Sequence, residues 1–221
     1  MCCKYHVEPN GYFEELARQA QRTTLASPYQ IQEGHVLHSG DVGPGNVVPV
    51  LSSNKAGNPI AFFMYWGFRA QNGSLLINAR SETAAQKPMF SEPWSRHRCI
   101  IPASWYYEWE HFPQPDGSYK KGGKFSIQPT GLDRTYLCGI YRIERNFPRF
   151  AILTRAPGPS VAAIHDRMPL ILPESQIHAW IDPKSDPAQV AAHALTDMIC
   201  ERLEPPLRPA LVIGDGSPSP L

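Results

Sequence analysis

Trp105-Tyr106-Tyr107-Glu108-Trp109-Glu110 alternates in the way an extended strand displays its side chains. Tyr106, Glu108 and Glu110 fall on one face, and Trp105, Tyr107 and Trp109 on the other. Immediately upstream, residues 99–101 read as another strand, with Pro102 as a break between the two. Downstream, residues 116–124 contain Asp-Gly and Gly-Gly and predict a lysine-rich hairpin loop. The strands 125–128, 136–142 and 150–154 then continue the same sheet. Further out, residues 47–51 and 60–67 predict strands joined by the turn-rich segment 52–58. The run Ile60-Ala61-Phe62-Phe63-Met64-Tyr65-Trp66 is almost wholly apolar, which predicts burial on both faces. Residues 75–80 form a strand that turns polar at its end. Helical spacing places Phe13, Leu16, Ala17 and Ala20 on one face of a helix over 12–21. Short helices are predicted at 82–86, 89–96, 160–164, 173–181 and 187–200. Residues 27–45 read as loop, with Gly40-Asp41-Val42-Gly43-Pro44-Gly45 forcing turns.

Many short strands, few helices and no strict βα alternation predict an α+β fold. The expectation is a single domain with a curved, mainly antiparallel, barrel-like sheet flanked by short helices. Its bounds are residues 2–200, with 201–221 as a proline- and glycine-rich tail, peripheral or disordered from 204 onward.

At 221 residues the chain is long enough to bury roughly 70% of its unfolded surface without staples. Its net charge of +1 excludes a strong whole-molecule field, so any nucleic-acid binding must come from a local patch. No apolar run is long enough to span a membrane, and the N-terminus lacks the pattern of a signal peptide. The five cysteines (2, 3, 99, 138 and 200) include no Cys-x-x-Cys pair, and their number is odd. That predicts a reduced, cytoplasmic protein with no disulfide framework, metal or cofactor.

Cys2 follows the initiator directly and is small enough to allow Met1 to be trimmed. Trimming would leave an α-amine two carbons from a thiol. The amine, with a pKa of about 7.7–8, is substantially neutral at physiological pH. It can attack an aldehyde to give an imine, and the thiol can then close a five-membered thiazolidine. The plainer alternative is an ordinary residue in a frayed terminus. Glu108, walled by aromatics, suits proton transfer if its pKa is raised; otherwise it is a half-exposed strand residue paired with a lysine. Asn78 and Arg80 lie two apart and share a strand face. His165, in Ile164-His165-Asp166-Arg167-Met168-Pro169, is either a catalyst or a satisfied structural histidine, and Asp166 and Arg167 could equally brace the turn.

Together these residues resemble the SRAP family, SOS-response-associated peptidase-like proteins that trap abasic sites in single-stranded DNA. The resemblance runs from Cys2 to about Trp180. It rests on Met1-Cys2, Gly43-Pro44-Gly45, Trp66-Gly67, Asn78-Ala79-Arg80-Ser81-Glu82-Thr83, Arg98-Cys99-Ile100-Ile101-Pro102-Ala103, Tyr107-Glu108-Trp109, Gly139-Ile140-Tyr141 and the His165 stretch, all in family order. It implies Cys2 as the nucleophile, Asn78 holding its amine, Glu108 as acid/base and His165 on the released sugar hydroxyl. It further implies Lys4 and Arg80 on phosphates, and Pro44, Trp66 and Met89 as an apolar wedge. The implied partner is single-stranded DNA containing abasic sites, bound by a monomer that would be nucleoid-associated in a bacterium. A lyase-type crosslinking activity and autoproteolysis ahead of Cys2 would accompany it. The chain departs from the family pattern with Cys3 for Gly, Lys4 for Arg and Asp41 for Asn. Its residues after 180 also lack a recognisable asparagine-bearing segment. Two alternatives of other classes are a cysteine hydrolase using Cys2 and His165, and a non-catalytic single-strand-binding module.

Overall fold

The computed structural model describes residues 2–23 and 36–203; the predicted loop's residues 27–35 and the tail from 204 lie outside them. The strands are β1 (Tyr5–Val7), β2 (Gly40–Val42), β3 (Val47–Ser53), β4 (Pro59–Trp66), β5 (Phe68–Arg69), β6 (Leu75–Leu76) and β7 (Asn78–Arg80). They continue with β8 (Arg98–Ala103), β9 (Trp105–Pro113), β10 (Tyr119–Pro129), β11 (Thr135–Glu144), β12 (Phe147–Arg155), β13 (Met168–Pro169) and β14 (Met198–Leu203). The helices are α1 (Gly11–Gln21), α2 (Ser81–Ala84), α3 (Pro88–Arg96), α4 (Pro159–Ala162), α5 (Ile177–Ile181) and α6 (Pro187–Ala191).

β11, β8, β3, β4 and β12 hydrogen-bond in that order, and β12 pairs back onto β11, so five strands close into a barrel. Closure leaves no edge within the ring. All its pairings are antiparallel except β12 with β4, where Arg149 and Phe150 run parallel to Tyr65 and Trp66. The second sheet, β14-β10-β9-β1-β2, is wholly antiparallel. The two share one continuous core, as the α+β single-domain expectation requires. Ser104 alone separates β8 from β9, and its corner is held by its amide on the His6 carbonyl and its hydroxyl on the Glu8 amide. β7 extends the barrel by running parallel to β12 at Ile152–Thr154, which brings Asn78 and Arg80 to the seam between the sheets.

Several local expectations are corrected. β8 runs straight through Pro102, which pairs with Tyr136. β3 meets β8 only at Ile100, so the missing amide of Pro102 faces no strand there. The predicted 116–124 loop is shorter, because β10 already begins at Tyr119 and absorbs the glycines as a bulge between Lys121 and Lys124. The helix predicted over 187–200 ends at Ala191, and residues 198–203 become β14 on β10. β14 thus runs three residues beyond 200, to Leu203. Residues 40–42, placed in the loop, form β2 beside β1. The strand over 75–80 is split at Ile77, whose carbonyl accepts from the Ile152 amide and the Trp66 indole. α1 does bury Phe13, Leu16, Ala17 and Ala20, and Asn10 caps it by accepting from the Tyr12 and Phe13 amides.

Among the described residues, no helix is long and apolar enough to cross a membrane. None of their His, Cys, Asp and Glu side chains gather in a group of three or more that could hold a metal ion.

Candidate functional site

Cys2, Asn78, Glu108 and His165 come from four separate parts of the chain and converge at one end of the seam. β1 carries the N-terminus into the sheet, and the Tyr107 amide holds the Lys4 carbonyl at 2.9 Å. Cys2, wholly buried, is anchored through its carbonyl, which accepts 2.8 Å from Asn78 Nδ2. Asn78 Oδ1 is buried and has no hydrogen-bond partner among the described residues, leaving an acceptor directed into the site. The Cys2 thiol lies 3.8 Å from the Lys4 carbonyl. Burial, followed by the Glu108 charge, pushes its pKa well above the ordinary thiol value. The thiol is therefore protonated at rest and is no ready thiolate.

Glu108 shares a face of β9 with Tyr106, as the alternation predicts, and is 2% exposed rather than half-exposed. Burial raises its pKa to about 7, helped by Asp166 and opposed by the Trp109 amide. A carboxyl at that value exchanges its proton readily near neutrality. His165 Nε2 lies 3.8 Å from Glu108 Oε2. Burial, with His111 nearby, lowers the His165 pKa to about 4, so the ring is neutral at physiological pH. Its tautomer follows from the other nitrogen. Nδ1 accepts the Arg167 backbone N–H at 3.0 Å, which places the ring proton on Nε2, toward Glu108. Asp166 Oδ1 also lies 2.9 Å from Nδ1, a contact that the other neutral tautomer would use, but that side chain is 74% exposed whereas the Arg167 amide is fixed by the backbone. The neutral ring and the fixed backbone donor decide the assignment.

The loop bearing His165 is held from the far side. Arg167 grips Glu82 with two bonds of 2.8 Å and the Thr154 carbonyl at 2.7 Å. The Arg167 bond brings Glu82 down to a pKa of about 2. Asp166 and Arg167 thus do not brace the turn against each other: the arginine ties it to α2 and β12.

Around this centre the expected DNA contacts separate into two groups. Arg80 and Pro44 are exposed and Met89 is half-buried, so all three present surface to a ligand. Trp66 does not. It is 0% exposed, packed between Tyr5 at 5.3 Å and Phe150 at 6.0 Å, with its indole N–H on the Ile77 carbonyl. A base cannot reach either face of that ring, so of the three residues expected to form a wedge only Pro44 and Met89 are accessible. Gly67, which follows it, has φ +120°, and a Cβ there would press on Leu75 at 3.0 Å, so glycine is required for the exit from β4.

Lys4 is paired with Asp41 at 2.8 Å, and the same carboxylate accepts from His6 at 2.7 Å and Tyr107 at 3.0 Å. Burial raises the Asp41 pKa, but the bonds from Lys4, His6 and Tyr107 outweigh it and bring it to about 2. The substituted aspartate thus neutralises the lysine that replaces arginine. Tyr106 was not singled out in the sequence, where it is only one more ring in an aromatic run. Its hydroxyl is buried with no hydrogen-bond partner among the described residues. Burial and the neighbouring Cys2 and Glu108 charges raise its pKa, which places it in the same centre. Only its shared face with Glu108 could have signalled this.

The family model described as SOS response associated peptidase (SRAP) matches residues 1–205. The chain is similar to the abasic site processing protein YoqW of Bacillus subtilis, 30% identical over 166 residues, covering 70% of this chain and 71% of that one. It is similar also to the abasic site processing protein YobE of the same organism, 32% identical over 170 residues, covering 70% and 73%. A solved protein from Bacteroides thetaiotaomicron shares the fold with a TM-score of 0.69 at 21% identity, over 92% of both chains. A phage-related protein from Bordetella bronchiseptica does so with a TM-score of 0.66 at 18% identity, over 92% of this chain and 95% of that one.

Proposed function

The chain belongs to the SOS response associated peptidase family, and we propose that it processes abasic sites in single-stranded DNA by covalent capture through Cys2. The observation that carries this is the pairing of a Glu108 carboxyl at a pKa of about 7 with a neutral His165, beside the Cys2 carbonyl held by Asn78. The closed abasic sugar must move a proton from its hydroxyl to its ring oxygen before an aldehyde exists. Glu108 can deliver one proton and accept the other. Once Met1 is removed, the Cys2 amine adds to the aldehyde and water leaves, giving an imine. The thiol then adds across the C=N bond, its proton passing to nitrogen, and a thiazolidine results. Amine, thiol and aldehyde are thereby converted to product and one water. His165 Nε2–H is the donor for the released sugar hydroxyl, and Asn78 Oδ1 is the acceptor for the amine. Arg80 holds a phosphate beside the lesion, while Pro44 and Met89 wedge the strand. The same site removes the residue ahead of Cys2, the peptidase activity.

A cysteine hydrolase would need Cys2 as a thiolate, and the raised thiol pKa favours chemistry that starts at the amine. Mature protein mixed with abasic single-stranded DNA should give a band that survives denaturation. Cys2→Ser should leave only an imine, lost on denaturation unless first reduced with borohydride. A stable band on undamaged DNA, or one that survives acetylation of the Cys2 amine, would overturn the proposal.

A further inference from the structure

The lysine-rich hairpin takes no part in the chemistry above. β1 pairs with β9 only at Trp105 and Tyr106, and β14 pairs with β10 only from Lys124 onward. What remains projects from the sheet as a two-stranded arm, closed by the Gln114–Ser118 turn. Its base is the rim of the site. The His111 amide donates to the Ile164 carbonyl at 3.1 Å, and the His111 ring lies 4.3 Å from the His165 ring. The arm exposes Phe112 and Tyr119, at 48% and 60%, next to the exposed Lys120 and Lys121. At its root the Lys121 ammonium stands 3.7 Å over the Trp109 ring, and Lys124 stands 3.5 Å over Tyr107. Both carboxylates of the arm are already held. Glu110 accepts from the Gly123 amide and Arg202, and Asp116 accepts from the Ser118 amide.

We infer that this arm is a second grip on single-stranded DNA, guiding nucleotides that flank the lesion at the Cys2–Glu108 site. The inference rests on the single-strand reading above and adds a surface to it. A single strand alternates a phosphate with an unstacked base, and the arm interleaves ammonium groups with aromatic rings. A duplex would offer the lysines phosphates but keep its base faces from the rings.

The test uses two variants of the full mature chain, Phe112→Ala/Tyr119→Ala and Lys120→Ala/Lys121→Ala, all at exposed positions. The probe is an undamaged long oligothymidine, followed by fluorescence anisotropy across a salt series, with a duplex of equal length alongside. The lysine pair should lower the salt slope by roughly 1.4, about 0.7 for each phosphate lost. The aromatic pair should weaken binding about tenfold at every salt concentration without changing the slope. Crosslinking to an abasic oligonucleotide only a few nucleotides long should match wild type in both variants. Wild-type affinity in both variants, or a loss confined to the duplex, would overturn the arm's role. If the arm variants lose single-strand binding but wild type never crosslinks, the arm stands and the capture chemistry falls.

Discussion

Arg98 and Glu108 sit on consecutive strands, 1% and 2% exposed, and the chain treats the two buried ionisable groups in opposite ways. Arg98 donates to the carbonyls of Trp94, Ser95, Trp180, Asp182 and Ser185. Four of these oxygens lie at the C-terminal ends of α3 and α5, where helix dipoles favour a cation. One protonation state is held fast, and the charge works as a rivet between two helices and the barrel. Glu108 faces a neutral histidine at 3.8 Å, with burial lifting it to about 7, so both its protonation states are accessible. Burial alone therefore does not mark a reactive group. What differs is the accessible protonation state: burial brings Glu108 near neutrality, whereas Arg98 stays a cation.

The sharpest break of that contrast is Glu108→Gln, which keeps shape and loses the proton. Crosslinking should slow by about 10²–10⁴ with near-normal DNA affinity. The defect should shrink on a substrate whose aldehyde is permanently open. A wild-type rate on ordinary abasic DNA would return Glu108 to the rank of a strand residue. The converse variant, Arg98→Leu, should leave chemistry per folded molecule unchanged but lower stability by roughly 3–5 kcal/mol in urea titration, because several buried carbonyls lose their donor. A loss below about 1 kcal/mol would mean those carbonyls find other partners.

Linkage sharpens the same comparison. The folded chain keeps the Glu108 proton to about pH 7, whereas the unfolded chain releases it near 4.3. The stabilising share is full below the unfolded value and is lost as pH rises through 7. Glu108→Gln should therefore gain roughly 2–4 kcal/mol on wild type between pH 4 and 8. A pH-independent gap would refute the raised pKa.

The smallest effect belongs to Asp41. Asp41→Asn removes a half-exposed ion pair, at a cost of less than about 1 kcal/mol. It also releases Lys4, so single-strand affinity at low salt should rise and the salt slope should steepen by roughly 0.7. An unchanged slope would show that Lys4 never reaches a phosphate.

Strand identity and the face that Glu108 shares with Tyr106 were legible because alternation is a local signal, but the burial of that face was not. The apolar run 60–66 placed Trp66 in the core, but Ile60, Phe62 and Tyr65 stay half-buried, so the expected burial on both faces is incomplete. A barrel-like sheet was expected, but the pairing that closes it was not legible, since the short parallel contact of β12 with β4 joins residues more than eighty apart. The partners of Arg98 were hidden for the same reason. Residues 198–200 read as helix and 201–203 as tail because β10 across the sheet, rather than their own propensity, makes them a strand. In the sequence Asp41 is only a departure from the family pattern, and only the fold reveals that Lys4, His6 and Tyr107 surround it.

The anchoring of Cys2 by Asn78 sets a clock on the chain's maturation. Asn78 is fixed by β7, and β7 is fixed by pairing with residues 152–154 of β12. The ribosome therefore delivers Cys2 first and its enclosure last. At roughly 5–20 residues per second, about 8–30 s pass between the emergence of Cys2 and that of β12. Until then the site is incomplete, so trimming of the residue ahead of Cys2 by that same site must wait for β12 to be in place.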